Sequence, residues 1–134
     1  MNYSDRPVGY LTVTVSTARG AIPLEGATVN IRNDSIENSE LLYSLISDRD
    51  GRTPKVSLDT PPLSNSDTPG GDTAFSTYNI DVFKNGYTPL FFHNVPIFPG
   101  VHSIQPAVMI PSDHPYKPYG EESHTEQYPQ SSIE

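Results

Sequence analysis

Strict alternation of apolar and polar side chains constrains this chain more than any other feature. Across residues 9–16, Leu11, Val13 and Val15 fall on one side, and Thr12, Thr14 and Ser16 on the other. That is the period of a half-buried strand, not of a helix. Residues 27–32 repeat the pattern through Ala27, Val29 and Ile31, and residues 77–84 through Tyr78, Ile80 and Val82. Four less regular stretches bring the expected strands to seven. In 41–47, Leu41, Leu42, Leu45 and Ile46 fall on both faces, so the register is open. In 52–58, Val56 and Leu58 point inward. Stretch 87–98 is the most apolar, and 101–110 places Ile104, Val108 and Ile110 on one face.

The segments between these strands carry turn chemistry. Asp48-Arg49-Asp50-Gly51, Asn85-Gly86 and Pro99-Gly100 combine glycine, which accepts positive φ, with side chains that bond nearby backbone. Residues 19–26 read as a loop, and 59–75 as a long exposed one. Pro89 and Pro96 assign 87–98 to a sheet edge or a bulge, because proline donates nothing to a ladder. No stretch has the period of an amphipathic helix. The expected fold is therefore an all-β, seven-stranded two-sheet sandwich. Residues 1–8 form an N-terminal arm, 9–111 the sandwich, and 112–134 a tail with five acidic residues and one Lys. So few aliphatic side chains predict a tail that is disordered or ordered only against a partner.

Charge removes whole classes of partner. Sixteen acidic residues stand against eight Lys and Arg, for a net charge of −8 with no basic cluster. Nucleic acid is excluded as a partner, since phosphate contacts need cations. No segment reaches the apolar length of a membrane span, so no membrane insertion is expected. Cysteine is absent, which removes disulfides and thiolate chemistry. The first residues hold no apolar run, so no signal peptide is visible and the localisation stays open.

Gly20 to Ile31 follows an x-P-L-x-G-A-x-V-x-I pattern through Pro23, Leu24, Gly26, Ala27, Val29 and Ile31. Ser47-Asp48-Arg49-Asp50-Gly51 is similar to a T-D-x-x-G turn, and Tyr78 to Tyr87 to a Y-x-I-x-V-x-x-x-G-Y hairpin. In this order the three motifs resemble those of carboxypeptidase-regulatory-like domains of the transthyretin-like (prealbumin-like) fold. Narrower likeness lies in Gly9 to Ala18, in Leu58 to Pro62 and in Asn94 to Pro106. These resemble a variant of spore-forming Gram-positive bacteria, found alone or at the N-terminus of spore cortex-lytic and peptidoglycan-binding proteins. The resemblance implies a spore, cell-envelope or extracellular context, without a lytic domain.

The residues that could carry chemistry do not assemble on paper. Nucleophilic hydrolysis needs Ser or Cys beside His and an orienting acid. His93, His102, His114 and His124 have no Gly-x-Ser-x-Gly elbow with them. His93 and His102 flank one expected hairpin and could approach each other; surface or turn roles are the expectation. Asp48 and Asp50 begin like a calcium loop, but the fifth position is Arg52 and the twelfth Asp59, so a plain turn is expected. The transthyretin relatives include hydroxyisourate hydrolases, which end in Tyr-Arg-Gly-Ser; this chain ends Ser131-Ser132-Ile133-Glu134. The expectation is no enzyme, no metal and no cofactor.

Aromatic residues supply the candidate interface. Phe91 and Phe92 are adjacent, so in a strand one must face outward and could anchor an interface. Tyr116, Tyr119 and Tyr128 could dock into a partner, and Tyr87 is expected as a corner tyrosine bonded to backbone. The expected function is a non-enzymatic structural or adhesive module, with other protein subunits as partners. A glycan or peptidoglycan-binding module, or a regulatory partner of a cell-wall lytic enzyme, are the alternatives.

Overall fold

The computed structural model describes residues 6–34, 39–62 and 74–112. Eight strands follow one another: β1 Val8–Thr17, β2 Ile22–Pro23, β3 Thr28–Asn33, β4 Leu41–Ile46, β5 Val56–Asp59, β6 Ser76–Phe83, β7 Leu90–Ile97 and β8 His102–Val108. They form two four-stranded sheets. In the first, β1 pairs antiparallel with β2 and β5 on one side and parallel with β8 on the other. The second runs β4-β3-β6-β7 and is antiparallel throughout. The two-sheet sandwich agrees with the alternation read from the sequence. Among the described residues there are eight strands and not seven, because two residues of the 19–26 loop pair with Ser16 and Thr17 as β2.

The core lies where the alternating faces meet. Leu11, Val13 and Val15 of β1 join Val29 and Ile31 of β3, Ile80 and Val82 of β6, and Ile97, Ala107 and Met109. Each large member of this set contributes about 1.5–3 kcal/mol relative to exposure in water. In β8, Ile104, Val108 and Ile110 share one face as expected, and that face is the exposed one. Ala107, followed by Met109 just past the strand, is buried on the other.

Sequence length also misplaces two boundaries. The strand expected over 52–58 is paired only from Val56 to Asp59, preceded by an isolated bridge between Thr14 and Arg52. Pro54 interrupts the ladder between them. At the N-terminus, β1 begins at Val8, the Pro7 carbonyl accepts the Thr60 N–H at 3.1 Å, and Arg6 pairs with Asp59. The sandwich therefore reaches back into the segment read as an arm.

The turn at Asp48 is built as its residues predict. One carboxylate oxygen of Asp48 accepts the N–H of Asp50 at 2.9 Å and that of Arg52 at 3.0 Å. Gly51 follows with φ of 80°, and its carbonyl accepts the Val15 N–H at 2.6 Å. A Cβ at Gly51 would lie 2.3 Å from the Val15 carbonyl oxygen, so the turn is held against β1.

Two tyrosines tie the sheets together at one lateral side. Tyr43 of β4 donates its hydroxyl to the Ser57 carbonyl at 2.8 Å, and Tyr78 of β6 donates to the Asp59 carbonyl. Burial, with the Asp59 charge and Tyr43 adding to it, pushes the Tyr78 phenol above its ordinary value of 10.0. The hydroxyl-to-backbone bonds expected of Tyr87 are thus made by Tyr43 and Tyr78, while Tyr87 packs half-buried against the core.

Candidate functional site

The outer face of the first sheet carries a shallow groove of about 410 Å³. Thr12 and Thr14 of β1 form part of its lining, with His102 and Ile104 from β8 and Asp48, Arg52 and Thr53 from the turn. The groove exists because β1 presents its small polar residues outward between the longer side chains of its neighbours. The Thr12 hydroxyl lies 2.8 Å from His102 Nε2 and is bonded to it. Asp48 commits one carboxylate oxygen to the backbone N–H groups of Asp50 and Arg52. Beside the groove, Lys55 places its ammonium 5.0 Å from the centre of the Tyr10 ring, a cation–π contact. Hydroxyls, one imidazole, one guanidinium and the Asp48 carboxylate beside an isoleucine make a surface suited to a polar, hydroxyl-bearing ligand.

The outer face of the second sheet is aromatic. Phe91 is 56 % exposed, and its ring meets Phe83 edge-on with centroids 5.8 Å apart. β-pairing sets this up: Phe91 stands opposite Asp81 and Phe83 opposite Thr28, all on the outward side. Phe92 stands opposite Ile80 and packs against the core, so Phe91 alone of the adjacent pair faces outward. Pro96 has the position expected of it, since β7 is an edge strand, and Pro89 lies just before that strand. Tyr116, Tyr119 and Tyr128 lie outside the described residues, as do His114 and His124.

His93 and His102 are not brought together as one pair. His93 is exposed on β7 of the second sheet, and His102 sits on β8 of the first. Between them the chain crosses from one sheet to the other, anchored by the Gly100 N–H on the Val8 carbonyl at 2.8 Å. Sequence reasoning missed the groove because its parts are far apart in the chain. The one available signal was the Thr12, Thr14, Ser16 face of β1, which marks an outward polar surface without marking its walls.

No protein-family model matches the chain, and no curated protein matches it. Solved structures do share its fold. Catechol 1,2-dioxygenase from Pseudomonas arvilla C-1 aligns with 95 % of this chain at 14 % identity and a TM-score of 0.53. 3-Chlorocatechol 1,2-dioxygenase from Rhodococcus opacus 1CP aligns with 84 % at 12 % identity and 0.53. Hydroxyquinol 1,2-dioxygenase from Pseudomonas putida DLL-E4 aligns with 84 % at 11 % identity and 0.51. The chain spans 59 %, 64 % and 59 % of those three proteins. At such identities the likeness is one of fold. It nevertheless corrects the expectation that this chain is no enzyme: that exclusion rested on missing nucleophile motifs, which test only some chemistries, and this sandwich is also the fold of oxygenases.

Proposed function

We propose that the chain is a structural or adhesive module that joins protein subunits in a spore-associated, cell-envelope or extracellular assembly. The carrying observation is the Phe83–Phe91 pair. An exposed phenylalanine braced edge-on by a second ring on a rigid sheet is a preordered anchor, which loses little side-chain freedom when a partner covers it. The motif resemblance to transthyretin-like, carboxypeptidase-regulatory-like domains supports the envelope context. The net charge of −8 supports protein over anionic polymer as the partner.

The test is retention of the purified chain on cell walls of a spore-forming Gram-positive bacterium, before and after protease treatment. Retention should depend on wall protein and should fall in Phe91→Ser, which leaves the core untouched. A glycan-binding reading is favoured by one observation, the groove over Thr12 and Thr14. Retention on protease-treated walls, lost in Arg52→Ala and kept in Phe91→Ser, would overturn the first reading and move the function to that groove.

A further inference from the structure

A β-sandwich leaves strand edges whose backbone groups await a partner, and natural sheets blunt such edges. Among the described residues, three of the four main edges are blunted by identifiable residues. On β8, the bonds from Tyr10 N–H to Val101 and from Met109 N–H to Ser16 fix the odd positions toward β1, so Pro106 faces the free edge. Pro106 has no N–H to offer, and its carbonyl is taken by the Gln105 side-chain amide at 2.9 Å. On β7, Tyr78, Ile80 and Val82 point their backbone groups at Val95, Phe92 and Leu90, which leaves Pro96 on the free edge, and Asn94 breaks the extended run with φ of 59°. On β5, the Thr60 N–H bonded to Pro7 fixes the even positions toward β1. The outward carbonyls are then those of Ser57 and Asp59, the two that accept the Tyr43 and Tyr78 hydroxyls.

β4 has none of these devices over Tyr43–Ile46. Its residues, Leu41-Leu42-Tyr43-Ser44-Leu45-Ile46, include no proline, glycine or charge. The Ser47 N–H on the Ala27 carbonyl fixes the odd positions toward β3, so Ser44 and Ile46 turn their N–H and C=O groups outward. A register shift between Ile31 and Arg32 confines the regular part to Tyr43–Ile46. Ile46 is 57 % exposed there, and Leu45 is only half-buried against the core.

We propose that β4 pairs antiparallel with β4 of a second copy, joining two four-stranded sheets into one of eight strands. This rests on the reading above that the chain works by joining protein subunits, and it names one such partner and its docking edge. The occupant follows from the edges themselves. An open edge needs another open edge, and among the described residues of this chain only β4 of a second molecule offers one. The contact is therefore isologous and closes as a two-fold dimer, not as a filament. With the axis beside Leu45, Ser44 and Ile46 of one copy exchange four backbone hydrogen bonds with Ile46 and Ser44 of the other. Leu45 then meets its own counterpart, and no residue of β4 sets a charge against its copy.

The experiment is sedimentation equilibrium of the full chain across a wide concentration range, with amide hydrogen exchange on the same samples. The expected result is a monomer–dimer equilibrium in which the Ser44 and Ile46 amides gain protection as the dimer fills. Ile46→Lys should raise the dimer Kd about tenfold or more, as a charge on an edge opposes pairing. Ser44→Pro, which deletes one outward N–H, should do the same, with circular dichroism confirming the fold of each variant. Phe91→Ser, on the opposite edge strand of the second sheet, should leave the dimer intact. A dimer indifferent to both β4 substitutions overturns the proposal, and so do open-ended polymers. A monomer at every concentration also overturns it, while wall retention still decides the broader reading separately.

Discussion

The Tyr43 hydroxyl reaches across the sandwich to the Ser57 carbonyl at 2.8 Å, joining the edge strand of one sheet to the edge strand of the other. The bond does two jobs, since it closes the seam between the sheets and occupies an acceptor that β5 would otherwise present to solvent. Tyr43→Phe should lower stability by about 0.5–1.5 kcal/mol, the range for one intramolecular hydrogen bond. Urea unfolding followed by tyrosine fluorescence or circular dichroism measures it. An unchanged midpoint would show that solvent replaces the bond at no cost.

Tyr78 gives stability an alkaline limb. Its phenol is held above 10.0 in the folded chain, chiefly by burial and further by Asp59 and Tyr43. The native state then keeps its proton where the unfolded state has released it, so the unfolded chain binds fewer protons above pH 10. Stability from this source is complete below the unfolded value near 10 and is lost as pH rises through the raised folded value. Tyr78→Phe should flatten that limb in a pH series of unfolding midpoints, while lowering stability at pH 7 by removing the bond to Asp59.

Positive φ separates two substitutions of opposite sign. Gly51→Ala imposes a Cβ at φ of 80° and 2.3 Å from the Val15 carbonyl oxygen, so a loss of about 2–4 kcal/mol is expected from conformational strain and overpacking together. Ala18, at φ of 54° in the turn Ala18–Gly20, already carries such strain. Ala18→Gly should be neutral or stabilising by up to about 1 kcal/mol, because relief of strain opposes the added freedom of the unfolded chain. Thermal unfolding of both variants checks the signs.

The two histidines should behave as strangers. His102→Ala and Thr12→Val share one hydrogen bond, so their effects on stability should be coupled by about 0.5–1.5 kcal/mol in a double-mutant cycle. His93→Ala with His102→Ala should instead add within about 0.5 kcal/mol, since the residues occupy different sheets. Strong coupling in the second cycle would mean that the chain brings the rings together.

Much of this sandwich was legible in β1, β3 and β6, where one face is buried and the other wet, so hydrophobicity and geometry share a period of two. In β8 the shared face of Ile104 and Val108 was legible but its direction was not, because the outer face is apolar as well. Ile104 and Val108 outweigh the buried Ala107, and side-chain size does not report direction. β4 gave no register because an edge strand with a bulge leaves Leu41, Leu42 and Ile46 all exposed. β2 left no trace, being two residues ending in Pro23 that pair with the end of β1. The groove was out of reach for another reason. Thr12, Arg52 and His102 lie on three separate segments, and period-two reasoning does not say which strands become neighbours.

The parallel pairing of β1 with β8 has a consequence for how the chain is made. β1 is the centre of its sheet, yet it leaves the ribosome before the other described strands, and its partner from His102 to Val108 follows last among them. Until that partner arrives, β1 can pair with β2 and β5 on one side, but its other edge stays open along the strand that carries Leu11, Val13 and Val15. Such long-range closure slows folding and prolongs the exposure of a sticky segment. Nascent chains halted before β8 should therefore be caught by chaperones or aggregate through β1, and release of the last strand should act as the step that seals the domain.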